Sequence, residues 1–327
     1  MINELSDEAI EFGGVVREGI EAAGGVDILR RAVAEPQIRS RIASEVLDAS
    51  GVWELDPRAD QVELEAAAAV CRAAGAFGFP YPLVERLGHD IGSATFLVSR
   101  GLPRVATHVD LDLDWSALDL TGRRYRLAQR PTELLETKLG PFSSPVSVTE
   151  DSGPAAPRNA ALVITLQAWW LLGLLDAAQS DTLRYTAERE QFGRALRKFQ
   201  GVQFMLADSS VALRSLEELA KYTLWSQFQE RDDAIALTDA LALRASSLRS
   251  ANTVLRTAHQ LHGAMGFTTE VNLSWLSRAS QSVRRLPEGE SQTLDLLTES
   301  IERGGFAGLP GGVGGAHVDS ERSGYLL

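Results

Sequence analysis

The chain is expected to fold as a mainly α protein with a small β insert. Three observations predict this. Helical texture runs to about residue 95; short alternating segments broken by prolines follow to about 157; four long helical segments with apolar faces then run to about 302. The boundaries read from these shifts are an N-terminal helical domain at 1–95, a reduced β-rich middle domain at 96–157 and a C-terminal four-helix bundle at 158–303. A glycine-dense tail at 304–327 is expected to be flexible. A length of 327 residues fits two or three domains at roughly 150 residues each.

Ser6-Asp7-Glu8 opens the first helix with a capping hydroxyl and early acids. Ile10, Val15, Val16 and Ile20 follow at helical spacing, and Gly24-Gly25 ends it. Further helical runs are expected at 26–48 and 58–74, before Gly75, Pro80 and Pro82 interrupt. Ala106 to Trp115 alternates apolar and polar residues, which predicts a half-buried strand. Thr121-Gly122 is a turn, and Tyr125 to Ala128 a second short strand. The bundle helices are expected at 158–189, 199–229, 233–262 and 272–302, the last broken at Pro287. In the second, Val202, Leu206, Leu213, Leu216, Ala220 and Leu224 share one face. Ala160 to Leu175 is apolar but interrupted by Gln167 and closed by Asp176. It is shorter than the roughly 20 residues a membrane span needs, so a core helix is expected.

A net charge of −12 argues against a nucleic-acid or anionic-membrane surface, which needs a basic stripe. The single cysteine, Cys71, excludes an intrachain disulfide and fits a reducing cytosol; within Leu64 to Ala74 it reads as a small buried hydrophobe. The acidic N-terminus lacks the basic flank and apolar core of a signal peptide. The expectation is a soluble, cytoplasmic protein with no nucleic-acid or membrane partner.

Two segments carry chemistry. In Arg189-Glu-Gln-Phe-Gly193, a permanently charged guanidinium can hold phosphate in a bidentate way, Phe192 can cover an adenine or ribose face, and Gly193 is expected to end a helix at positive φ. In Gln260-Leu-His-Gly-Ala-Met-Gly-Phe267, small residues let backbone approach a ligand, and the Gln260 amide can donate and accept. Both are expected in long helical runs. His259 and His262 flank Gln260, but no HExxH or cysteine cluster accompanies them, and no metal site is expected.

The two segments, at this spacing, resemble the paired signatures of the acyl-CoA dehydrogenase family. The match continues through Phe199-Gln200, Gln203, Leu206-Ala-Asp208 and Thr268-Thr-Glu270. The resemblance implies the order helices, β domain, four-helix bundle, and FAD as cofactor. It assigns Arg189, Gln191, Phe192, Gln260, Leu261, His262, Gly263 and Ala264 to the ADP half of an FAD bound mainly by a neighbouring subunit. Ala264 departs from the family's second glycine and adds a methyl where backbone approaches ligand.

The family reaction is α,β-dehydrogenation of an acyl-CoA, in which a glutamate removes the α-proton and must lie within reach of it. The commoner family position for that base, a Tyr-Glu-Gly-Thr turn, compares here with Pro287-Glu288-Gly289-Glu290. Glu288 is therefore the candidate base, although proline and glutamate replace tyrosine and threonine and the spacing from Arg278 is one residue longer. Its alternative is an exposed acid at a helix start, where the dipole favours negative charge. The second family position falls near Val163, where no acid occurs. The family's Thr-Glu-x-x-x-Gly-Ser-Asp loop and Trp-Ile-[ST] strand are absent. Trp115, in the nearest remnant, reads as core.

Retained FAD-reaching motifs beside a reduced middle domain resemble the short subunit of the actinobacterial heterotetrameric (α2β2) dehydrogenases that act on steroid side-chain CoA thioesters. The resemblance implies a full-length acyl-CoA dehydrogenase partner carrying base and flavin ring, an acyl-CoA substrate and electron-transfer flavoprotein as acceptor. Two other readings stay open: a homomeric dehydrogenase using Glu288, and a flavin-free helical scaffold.

Overall fold

The computed structural model describes residues 4–132, 134, 139–229 and 232–305. Most of the tail expected at 304–327 lies outside these residues. Helix α1 (Asp7–Ala22) starts where the Ser6 hydroxyl accepts from the Ala9 amide, with Asp7 and Glu8 in the first turn. It buries Ala9, Gly13, Val16 and Ile20, a spacing of three and four that faces one side. The run expected at 26–48 breaks into α2 (Val26–Ala34), a 3₁₀ turn at Pro36–Ile38, α3 (Arg39–Ala43) and a π turn at Ser44–Asp48. Pro36 lacks the amide that would continue α2. Asp60 caps α4 (Gln61–Gly75), and α5 (Leu83–Leu87) follows the two prolines.

Helix α4 is buried along nearly its whole length because its neighbours come unusually close. A Cβ on Gly75 would sit 1.8 Å from the Trp170 carbonyl oxygen, and one on Gly173 1.9 Å from the Arg72 carbonyl oxygen. Each helix thus offers a glycine to the other's backbone.

Among the described residues the middle region has six strands: β1 (Ala94–Leu97), β2 (Val105–Thr107), β3 (Trp115–Leu118), β4 (Arg124–Leu127), β5 (Ser143–Pro145) and β6 (Val148–Glu150). Four form a sheet in the order β1-β3-β4-β6, with β1 parallel to β3 and the other pairs antiparallel; β2 and β5 pair separately. Phe96, Val98, Trp115, Ala117, Tyr125 and Val146 make a small core of their own. Trp115 packs edge-on to Phe96 and donates to the Leu111 carbonyl, as a core residue does.

The single strand expected over Ala106 to Trp115 does not form. The chain leaves β2 after Thr107, turns at His108 (φ 63°) and re-enters a strand at Trp115. Local bonds replace the ladder: Leu111 N donates to the His108 carbonyl, and His108 N to the Phe142 carbonyl. Arg39, 2% exposed, holds this turn by an ion pair to Asp110, a contact to His108 Nδ1 at 3.1 Å and its cation over the Phe142 ring at 4.5 Å. Val109 and Leu111 are buried by a folded-back turn rather than by a pleat, so the alternation misled. Strand β1 gave no alternation because all four of its residues are buried.

The bundle comprises α6 (Pro157–Glu188), α7 (Gln200–Gln229), α8 (Asp233–His262), α9 (Asn272–Arg285) and α10 (Glu290–Glu302). Helix α6 is one unbroken helix of 32 residues, about 48 Å long. Its apolar stretch belongs to a helix long enough to cross a membrane, contrary to the length argument above; 83% of that window is nevertheless buried inside the protein. Among the described residues, the α9–α10 break at Pro287 is fixed from α8. Arg244 donates to the carbonyls of Leu286 (2.8 Å) and Glu288 (2.7 Å), and its burial pulls its pKa down to about 10.

Candidate cofactor-contact site and the neighbouring cleft

The first motif is not in a helix. Helix α6 stops at Glu188, and strands β7 (Glu190–Gln191) and β8 (Arg194–Ala195) form a hairpin around Phe192 and Gly193. Gly193 is therefore a turn residue, not the helix end expected. Both central residues have positive φ, 52° and 77°, as the tight two-residue hairpin turn requires. Phenylalanine rarely adopts this conformation. Here it is held with 88% of its surface exposed, its ring edge-on to Phe199 at 6.3 Å. Arg189 caps α6, its backbone amide donating to the Tyr185 carbonyl. Its exposed side chain makes no hydrogen bond or ion pair among the described residues.

The second motif straddles the end of α8 and a 3₁₀ turn at Gly263–Phe267. Gly263, φ 58°, terminates α8 with nothing within 4 Å of its would-be Cβ. Gly266 is needed for packing, since a Cβ would lie 3.1 Å from His262 Cβ. Gln260, Gly263 and Ala264 are exposed, Leu261 is half-buried and His262 is buried.

His262 forms a structural link. Its ring stacks on Tyr185 at 4.3 Å, and its Nδ1 lies 2.8 Å from the Ala258 carbonyl oxygen. Tyr185 also accepts the amide of Arg189. One stacked pair therefore brings the two motifs to the same end of the bundle. His259 stacks on Phe267 at 4.8 Å, and burial, with the charges of His262 and Arg284, lowers its pKa. No group of three or more His, Cys, Asp or Glu able to hold a metal occurs among the described residues. An exposed guanidinium without a partner, an aromatic face held to solvent and two open glycines fit a diphosphate and an adenosine.

The candidate base lies elsewhere. Glu288 Oε1 accepts from Ser99 Oγ at 2.8 Å and from the Arg100 amide at 3.3 Å. It ties the α9–α10 connection to the loop after β1, which differs from the exposed acid weighed as its alternative. Glu290 begins α10 and pairs with Arg249 Nε at 2.6 Å. Val163 is fully buried, and a Cβ on Gly88 would lie only 2.7 Å from its Cγ2, so no longer side chain fits there.

One acid escaped the sequence reading. Glu85, on α5, lines a small cavity with Phe96, Leu97, Gln167, Leu286 and Pro287. The cavity's volume of about 30 Å³ suffices for a water molecule or two. Gln167 lies one helical turn beyond Val163, and its Oε1 accepts weakly from Arg244 at 3.4 Å. The Glu85 side chain keeps some surface, yet its carboxyl is enclosed by protein and makes no ion pair among the described residues. Burial raises its pKa to about 7, opposed only by its own amide. Neighbouring Arg86 is turned away, over Trp53 at 3.5 Å.

A mainly α chain with a small β unit and a terminal bundle carrying this hairpin defines the acyl-CoA dehydrogenase fold. Residues 165–299 match the family model for the acyl-CoA dehydrogenase C-terminal domain. Over this bundle the chain is similar to the acyl-CoA dehydrogenases. Acyl-CoA dehydrogenase FadE28 of Mycobacterium tuberculosis is 30% identical over 143 residues, 44% of this chain and 41% of that protein. The chain spans a quarter to two fifths of the length of the curated relatives it matches. Two solved structures share the fold over nearly the whole chain. A Tcur3481–Tcur3483 steroid ACAD variant has a TM-score of 0.72 at 19% identity, covering 91% of this chain and 98% of its own. The ChsE4–ChsE5 complex from Mycobacterium tuberculosis has a TM-score of 0.70 at 17% identity, covering 92% and 99%.

Proposed function

We propose that the chain is an FAD-supporting, non-catalytic subunit of a heteromeric acyl-CoA dehydrogenase. A full-length partner subunit supplies the catalytic base and holds the flavin ring, and the complex α,β-dehydrogenates an acyl-CoA. The observation that carries this reading is an asymmetry. The hairpin and the α8 end present Arg189, Gln191, Phe192, Gln260 and Gly263 together at one exposed end, while the chain's own cleft offers a packed valine at one base position and a carboxylate already engaged by Ser99 at the other. The similar folds of the Tcur3481–Tcur3483 steroid ACAD variant and the ChsE4–ChsE5 complex favour a partner and a steroid thioester as the acyl group. FAD supplies the hydride acceptor when bound, and electron-transfer flavoprotein is the acceptor from it. This chain's residues contribute charge and shape: Arg189 balances the diphosphate, Phe192 covers a ring, and Gln260 fixes polar edges.

Co-expression with a full-length acyl-CoA dehydrogenase tests the reading. A yellow, active complex is expected, in which Arg189→Ala lowers flavin content at unchanged subunit stoichiometry and Glu288→Gln leaves bound flavin intact. An active, flavin-loaded homomer made by this chain alone would overturn it in favour of the homomeric alternative.

A further inference from the structure

A pocket away from the hairpin has the chemistry of an anion site. It lies between α8, the end of α9 and the start of α10, has a volume of about 200 Å³, and is lined by Leu248, Asn252, Arg284, Arg285 and Glu290. In a chain of net charge −12, a concentration of cations requires a reason. Helix ends supply one ordinary reason, since cations favour a helix C-terminus. That role is already filled: Arg244 takes the Leu286 carbonyl, and the Leu286 amide takes that of Ser282.

Arg284 instead reaches across the pocket to Asn252 Oδ1. It does so half-buried beside a like charge; burial first, then Arg285, lowers its pKa. Arg285 is exposed and makes no side-chain hydrogen bond or ion pair among the described residues. The carboxylate of Glu290 is neutralised by Arg249 on the rim. The start of α10 borders the same space, with Gly289 at its cap and no side chain capping it, so its first amides add to the positive potential. Two adjacent guanidiniums, one half-buried and one exposed, with the local acid paired off, are complementary to a multiply charged tetrahedral oxyanion.

We propose that this pocket binds a phosphate-bearing small molecule, with Arg284 and Arg285 as its anion ligands and Asn252 orienting Arg284. The site stands whether or not the chain pairs with a partner. Isothermal titration of the full chain, or of its complex, with inorganic phosphate, ADP and acetate at constant ionic strength tests it. Saturable binding of phosphate and ADP is expected, with acetate much weaker. R284Q/R285Q is expected to weaken phosphate binding tenfold or more. R285Q alone, at an exposed position, should weaken it severalfold without changing Tm, so loss of binding cannot be ascribed to misfolding. ADP binding that is tighter than phosphate, weakened in R284Q/R285Q and retained in R189Q identifies a nucleotide, and equal affinities with the same variant dependence identify free phosphate; either supports the site. The proposal is overturned by absence of saturable phosphate binding, by equal affinity in R284Q/R285Q, or by loss of phosphate binding in R189Q instead.

Discussion

Glu85 shows how a single side chain acquires properties that its type does not predict. Enclosed between α5, β1 and α6, it has Cys71 and Gln167 nearby and no cation turned toward it. In the folded protein it keeps its proton from the ordinary value of 4.5 up to about 7, whereas the unfolded chain releases it near 4.5. Between those values the native state binds the extra proton, so stability falls as pH rises and levels off above 7, by about 3 kcal/mol at most. Glu85→Gln should flatten this slope. Chemical denaturation at pH 5 and pH 8 should show the variant close to wild type at the lower pH and more stable at the higher, by about 1–3 kcal/mol. An unchanged slope would mean that water reaches the carboxyl. Nothing in the sequence marks this acid, because its environment is assembled from four distant segments. Arg189 and Gln260, by contrast, were legible because their neighbours in sequence are also their neighbours in space.

At the level of elements, the hairpin and the α4–α6 crossing make opposite use of glycine. Gly193 supplies a left-handed turn with open space around it, so Gly193→Ala should cost about 1 kcal/mol in thermal unfolding through backbone conformation alone. Phe192→Ala should leave stability unchanged, since the ring packs mainly against solvent, and lower flavin retention in the proposed complex. Gly75 supplies close contact instead. Gly75→Ala must push α4 from α6 and should cost about 3 kcal/mol or more, measurable by denaturant unfolding. The bundle helices were readable from the sequence because each is long and carries a repeated apolar face. The hairpin was not: two-residue strands are below the length at which a period registers. The strand expected at Ala106 to Trp115 failed for a related reason. Alternation reports alternating burial, and a turn clamped by Arg39 produces that as readily as a pleat.

Across the whole molecule, a shared apolar core joins the N-terminal helices, the β unit and the bundle, and polar contacts pin them to one another. Arg39 reaches the β unit at Asp110, His108 and Phe142; Arg124 reaches Asp90; Glu288 reaches Ser99. His108 stays neutral, its pKa held well below the usual value by burial and by the charge of Arg39. Arg39→Met would leave Asp110 without its partner and should cost about 3–5 kcal/mol. Hydrogen exchange should then quicken over residues 105–118 more than in α6, localising the loss to the seam. Uniform exchange across the chain would mean that the three parts unfold as one.

Helix α6 also acts as a ruler. Val163 and Arg189 are separated by 26 residues of unbroken helix, about 39 Å along its axis. A rigid rod of that length holds the hairpin and the Val163 position at a fixed separation. If the hairpin holds the diphosphate of FAD as proposed, the flavin end of that cofactor lies toward a different polypeptide. On the proposed reading, a four-residue deletion within α6 would disturb cofactor sharing before it disturbed either end's local chemistry.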